Sequence, residues 1–131
     1  MSEASREPRV FEPSRECVAA MDLVERYFDM WNAGTGAVAD EVLAPTYVDH
    51  DQPSVVGPAA TRSLVPRFQK DGGARVEAEI VAAGEDFVAA RRTIRVLREG
   101  APVEMRAVVL FRVSDGKLAE QWSWPENDDA R

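Results

Sequence analysis

Residues 111–122, FRVSDGKLAEQW, have the pattern of two β-strands joined by a tight turn. Asp115-Gly116 is a dipeptide that favours a two-residue hairpin loop. If Val113 faces Leu118 across this turn, alternation along each strand determines which other side chains share their face. The predicted pairs on that face are Val113–Leu118, Phe111–Glu120, Val109–Trp122 and Ala107–Trp124.

Glu120 is the exception on this otherwise apolar and aromatic face, which we therefore expect to be the inner one. A carboxyl on an inner face is costly unless it is paired, or unless a raised pKa keeps it neutral. A carboxyl with a raised pKa is suited to general acid–base catalysis. Two alternatives are that the register is off by one residue, or that Glu120 lies at a rim and reaches solvent.

The first half of the chain has the apolar spacing of helices. Apolar residues recur every three or four positions after Ser14, a suitable N-cap, and the pattern ends near Gly34. A short helix is expected over residues 37–43, and a third is expected to begin near Gly57. Pro66 lies inside the third helix, so we expect a break or kink there.

From residue 74 onward, apolar and polar residues alternate with a period of two, which predicts strands. They cover residues 75–84, 87–98, 102–113 and 118–126. Three or four antiparallel strands that follow three helices are typical of the α+β class. Residues 1–13 are expected to be a flexible N-terminal segment, residues 14–125 a single domain, and residues 126–131 a short polar tail.

Composition excludes several classes of function. The net charge of -7 disfavours nucleic-acid binding, which usually requires a basic surface. No apolar run approaches the roughly 20 residues that a membrane-spanning helix needs, and the N-terminus lacks the apolar stretch of a secretory signal. The single cysteine, Cys17, allows no internal disulfide. We therefore expect a cytoplasmic protein.

The only histidine of the chain, His50, lies in the segment YVDHD, residues 47–51. This segment is either a polar surface turn or part of a functional site. A metal site is not expected, because adjacent residues of an extended segment point apart and no second histidine or thiolate cluster completes a ligand set. No phosphate-binding glycine motif is present either.

Several segments together resemble the SnoaL-like branch of the NTF2-like superfamily. They are YFDMWNAG (27–34), LAPTYVDHD (43–51), GPAATRSLVPRF (57–68), GEDFVAARRTIR (84–95) and FRVSDGKLAEQW (111–122). The resemblance covers about residues 18–124. It implies a cone-shaped, curved antiparallel sheet covered by about three N-terminal helices, with a central, mainly apolar pocket.

The resemblance also implies candidate functions and site residues. Relatives include polyketide cyclases, ketosteroid isomerase and limonene epoxide hydrolase, as well as binding proteins. In the cyclases a carboxylate removes an activated proton without a cofactor. Expected catalytic residues are Glu120, Asp49 and His50. Expected substrate-binding residues are Trp31, Tyr47, Phe111, Trp122 and Trp124. Where the closing strand of relatives often has an aspartate after Glu-x-Trp, this chain has Ser123.

Three functions remain open at this point. The chain is a cofactor-independent cyclase or isomerase that acts on an apolar polyketide- or terpenoid-like substrate, a non-catalytic binding protein for an apolar small molecule, or a dimeric interaction domain. The third is compatible with the other two, because Val108 and Leu110 make the outer sheet face apolar enough for a homodimer. Among Arg91, Arg92 and Arg95, one inward arginine could hold an anionic substrate group.

Overall fold

The computed structural model describes residues 12–70 and 73–126. Most of the expected flexible segment and polar tail, residues 1–11 and 127–131, lies outside the described residues. Within them, the element order is α1 (Arg15–Ala33), α2 (Ala39–Val42), β1 (Leu43–Asp49), α3 (Gly57–Lys70), β2 (Arg75–Ala83), β3 (Phe87–Arg98), β4 (Ala101–Ser114) and β5 (Lys117–Pro125). No helix in these two ranges is long and apolar enough to span a membrane.

Helix α1 begins and ends where the sequence predicts. The Ser14 side chain accepts a hydrogen bond from the backbone N–H of Cys17 at 3.0 Å, which satisfies one of the free donors of the first turn. Gly34 ends the helix in the left-handed conformation, with φ 77°. The buried face includes Leu23 and Met30, whereas Val18 is exposed.

Helix α3 continues through Pro66, where a break or kink was expected. The helix packs against the core through Val65, which is fully buried, and through Leu64 and Phe68, which are partly covered. The second helix is shorter than predicted. It spans four residues, because Leu43 already adopts extended backbone and begins β1.

The five strands form one curved sheet in the order β1-β5-β4-β3-β2. The predicted α+β class and the antiparallel arrangement of β2 to β5 are confirmed. Strand β1 was expected only to be extended or turn-like, and it pairs in parallel with β5 at the edge of the sheet. An edge position tolerates Pro45 because one side of the strand needs no hydrogen-bond donors.

The predicted register of the closing hairpin is wrong beyond its first pair. Val113 pairs with Leu118 as expected, but Arg112 then pairs with Glu120, because β5 contains one extra residue at this point. Such a β-bulge reverses the facing of every side chain that follows it. Gln121 therefore takes the inner position opposite Phe111, while Glu120, Trp122 and Trp124 face outward.

The core lies between the helices and the inner face of the sheet. Phe111 contacts Tyr27 and Phe28 of α1 edge-on, with ring centroids 5.3 and 5.7 Å apart. Two side chains hold the helix ends to β2. Asn32 exchanges two hydrogen bonds with the backbone of Val76, and Gln69 donates to the carbonyl oxygens of residues 31 and 74.

We predict that Gly36→Ala lowers the free energy of unfolding by about 1–3 kcal/mol, as overpacking typically does. A Cβ at this position would lie 2.6 Å from the Cα of Arg62 in α3, which cannot move without shifting that helix. Gly84→Ala is the matched control, since its Cβ would meet nothing closer than 3.8 Å. Urea unfolding should separate the two variants, and equal midpoints would contradict the close approach of α3.

Candidate functional site

A small cavity lies between α1, α3 and the inner face of the sheet. Its volume is about 120 Å³, and aromatic and aliphatic side chains form most of its wall. The polar residues that line it are Asp49, Gln52, Thr61, Arg92 and Gln121. A larger depression of about 690 Å³ lies near the β4–β5 turn, but it is open to solvent. The smaller cavity is less open to solvent and mainly apolar, and it is therefore the candidate site.

Asp49 is the one carboxylate among the residues that line this cavity. It is the last residue of β1, and only 6% of its surface is exposed. The backbone N–H of Asp51 donates to its Oδ1 at 3.0 Å. Burial raises the pKa of Asp49, and the nearby charge of Asp51 adds to this, whereas the Asp51 and Gln52 N–H groups and Arg92 oppose it. Asp49 therefore has the environment of a general acid or base.

Tyr47 and Gln121 form a buried polar pair beside Asp49. The Tyr47 hydroxyl donates to Gln121 Oε1 at 2.6 Å, and Asp49 and Gln121 are register partners in the parallel β1–β5 pair. Burial raises the pKa of Tyr47, and it raises the pKa of Tyr27 to about 12. Both phenols are therefore neutral at physiological pH, so they act as hydrogen-bonding groups and not as bases.

Arg92 is the inward arginine that the sequence could not identify. It lies on β3 opposite Ala78 and Ala107, two small residues that leave room for its side chain beside the cavity. Its neighbours on the strand face outward, where Arg91 pairs with Glu126 and Arg95 pairs with two glutamates of adjacent strands.

The structure does not bring Glu120 and His50 to the cavity. Glu120 Oε2 lies 2.9 Å from His50 Nε2, and its other oxygen accepts a hydrogen bond from Arg112. These contacts are on the outer face, where the Arg112 and His50 hydrogen bonds lower the pKa of Glu120. The alternative that the register is off by one residue is the one that the structure bears out. Glu120 is an ionised surface group rather than a neutral inner acid.

The aromatic residues proposed as substrate-binding are divided between three environments. Trp31 lines the cavity, and Tyr47 lies buried beside it. Phe111 is fully buried in the core. Trp122 stacks on the His50 ring with centroids 4.9 Å apart, and Trp124 is 52% exposed on the outer face.

Sequence reasoning missed Gln121 as a cavity residue, and one signal could have found it. Arg112 and Glu120 are opposite charges that favour a cross-strand pair, and pairing them shifts the register by one residue.

His50 follows Asp49 on the opposite side of the chain, so the two side chains cannot bind the same ligand. Within residues 12–70 and 73–126, no group of three or more His, Cys, Asp or Glu side chains is arranged to hold a metal ion.

We predict that Asp49→Asn stabilises the protein at neutral pH and that the gain shrinks in acid. A raised folded-state pKa means that wild type loses stability as the pH rises from the unfolded value of about 3.9 through the folded value. Asparagine carries no charge and escapes this loss. Urea unfolding between pH 3.5 and 8 on the variant, wild type and the exposed control Asp22→Asn tests this. Parallel pH curves for Asp49→Asn and wild type would contradict it.

Comparison with known proteins agrees with this architecture. A proposed SnoaL-like polyketide cyclase from Jannaschia sp. CCS1 superposes with a TM-score of 0.72 at 20% identity, covering 89% of this chain and 92% of its own. TsrD from Streptomyces laurentii has a TM-score of 0.70 at 21% identity, with 88% and 92% covered. An LEH-like epoxide hydrolase of M. tuberculosis has a TM-score of 0.71 at 20% identity, with 85% of each chain covered.

These structural similarities establish the fold, and the sequence establishes the family. Comparison with curated proteins finds no significant match. The SnoaL-like domain family matches residues 24–121, which run from the middle of α1 to the cavity residue Gln121. The chain therefore belongs to the SnoaL-like domain family, within the NTF2-like fold.

Proposed function

We propose that this protein is a cofactor-independent enzyme in which Asp49 moves a proton to and from a small carbonyl compound, in an isomerisation or a ring closure. The observation that carries the proposal is the burial of one carboxyl, 6% exposed, in the wall of a mainly apolar cavity. A carboxyl whose pKa is raised by burial is better matched to proton transfer near neutral pH than an exposed one.

The hydrogen bonds around Asp49 support this role. Oδ1 is held by the Asp51 N–H group at 3.0 Å, which fixes the carboxyl orientation. The other oxygen is then available to a substrate C–H bond. Tyr47 holds Oε1 of Gln121, so the Gln121 amide N–H₂ group is the part that can donate to a substrate oxygen. The mainly apolar wall lowers the local dielectric constant, which strengthens these interactions.

The cavity volume bears on substrate size. Ligand pockets usually measure about 300–1,000 Å³, whereas this cavity measures about 120 Å³. A compact substrate, or the reacting end of a longer polyketide- or terpenoid-like chain, fits such a space. A polycyclic substrate would need α3 to move away from the sheet. We therefore favour a small oxo compound over a fused-ring substrate.

We predict that the wild-type protein catalyses hydrogen–deuterium exchange at the activated carbon of small oxo compounds and that Asp49→Asn slows it by about 10²–10⁴-fold. Proton NMR in D₂O with a panel of two- to six-carbon ketones and oxo acids measures this without knowledge of the product. Glu120→Gln should retain exchange within about threefold, since Glu120 lies on the outer face. Equal loss in both variants would remove the special role of Asp49.

A non-catalytic binding function is the second candidate. It is favoured by the presence of a single carboxylate among the cavity residues, since many acid–base enzymes use two titratable groups with separated pKa values. The exchange experiment distinguishes the two candidates. Binding of a panel compound without exchange, in wild type as well as in Asp49→Asn, would support the binding protein.

We also propose that the outer sheet face forms a homodimer. Val108, Leu110, Trp122 and Trp124 are neighbours on this face, and Trp124 is 52% exposed. The ion pairs Arg112–Glu120 and Arg91–Glu126 flank the apolar patch. A two-fold axis through the patch would bring acids near bases, which suits a second copy of the same chain.

We further propose a cytoplasmic location. The buried free thiol of Cys17 suits a reducing, cytoplasmic compartment.

We predict that wild type sediments as a dimer and that Trp124→Glu raises the dimer dissociation constant at least tenfold, because it places an unpaired charge in the interface. Analytical ultracentrifugation over a concentration series measures the shift. Val18→Glu is the control, since Val18 is similarly exposed but lies on α1. A monomeric wild type, or equal weakening by both variants, would refute this interface.

A further inference from the structure

Arg92 has an unusual environment for an arginine. Its Nε atom is shielded from solvent, yet it has no hydrogen-bond acceptor among the described residues. An unpaired buried donor costs about 1–3 kcal/mol, and a charged one costs more. Evolution rarely retains such a cost in a core where a neutral side chain would fit.

Three outward-facing arginines of the same sheet make the contrast clear. Arg91, Arg95 and Arg112 all face outward, and each has a glutamate partner within 3.1 Å. Arg92 forms no ion pair with any carboxylate in residues 12–70 or 73–126. These outward-facing cations therefore have partners, whereas Arg92, beside the cavity, has no anion within these two ranges.

We propose that Arg92 binds the carboxylate of a small organic acid inside the cavity and so makes the protein selective for anionic ligands. Arg92 is the only cationic residue among those that line the cavity. The proposal that the acid binds does not depend on the proposed enzymatic function. Its identification as a substrate rests on the proposed proton transfer by Asp49.

The geometry of the cavity favours a carboxylate over larger anions. A guanidinium group presents a planar fork that a carboxylate matches with two parallel hydrogen bonds, one of them from Nε. The volume of about 120 Å³ equals roughly four water molecules at about 30 Å³ each. A carboxylate with a short carbon chain fits this space. A phosphate group would need further cationic donors, and the cavity wall offers none.

Asp49 gives the proposal an electrostatic consequence. The charge of Arg92 lies close enough to Asp49 to lower the pKa of that carboxyl, against the larger effect of burial. An ionised Asp49 repels a bound carboxylate, whereas a protonated or substituted one does not. Asp49→Asn should therefore bind small acids several-fold more tightly than wild type, although it has lost the proton-transfer group.

The test compares carboxylates with their uncharged amides, for example propionate with propionamide and pyruvate with pyruvamide, at constant ionic strength. Binding is followed by the NMR shift of the Trp31 indole N–H, with Trp122 and Trp124 on the outer face as internal references. We expect each acid to bind wild type at least tenfold more tightly than its amide, and Arg92→Met to remove this preference. Arg91→Met, on the opposite face of the same strand, should retain it.

Equal binding of acid and amide by wild type would overturn the proposal, and so would a preference that survives in Arg92→Met. Shifts confined to Trp122 and Trp124 would also overturn it. Arg92→Lys keeps the charge but loses the fork, so it should show a weakened preference even if the methionine variant folds poorly. Arg92→Met should unfold at the same or a higher temperature than wild type, because it removes an unpaired buried donor.

The outcome of this binding experiment can be distinguished from the outcome of the exchange experiment. Acid selectivity without deuterium exchange would leave Arg92 as the anchor of a binding protein. Exchange on neutral ketones without acid selectivity would support Asp49 and exclude the role of Arg92.

Discussion

One extra residue in β5 determines which side chains of this strand face the cavity. Between Leu118 and Glu120 the strand carries a β-bulge, and both Leu118 and Ala119 are buried there. Side chains alternate along a strand, so the bulge exchanges the faces of all later positions. Gln121 enters the cavity and the charged Glu120 leaves it. Without the bulge, the core would contain a carboxylate opposite Phe111, and the Tyr47–Gln121 hydrogen bond would be lost.

The sequence predicted the parts of the fold that depend on local pattern. The span of α1, its Ser14 cap and the strands from β2 to β5 all follow from apolar periodicity and turn residues. The parallel pairing of β1 with β5 did not follow, because an edge strand that contains Pro45 has little alternation of its own. The bulge was missed because alternation assumes an unbroken ladder, and only a cross-strand contact such as Arg112–Glu120 locates an interruption.

The candidate site was predicted in part for the same reason. Asp49, Tyr47 and Trp31 lie on or beside elements whose facing depends on local pattern, and the structure brings all three to the cavity region. Residues beyond the bulge were assigned to the wrong face. Arg92 could be identified as the inward arginine only from the pairing of three strands. Its small partners Ala78 and Ala107 show that its side of β3 has room for a guanidinium group.

The charged side chains of the candidate site and those of the outer sheet face lie in different environments. On the outer face, Glu120 is held between Arg112 and His50, and such exposed pairs contribute little to stability. On the inner face, Asp49 is buried and the Nε atom of Arg92 is shielded from water, without a direct ion pair between them, which lowers stability relative to an apolar core. An ion pair between these two side chains would make the protein more stable, but it would leave neither of them free to bind a ligand. A ligand that supplies an anion to Arg92 would offset part of this cost and would stabilise the folded protein.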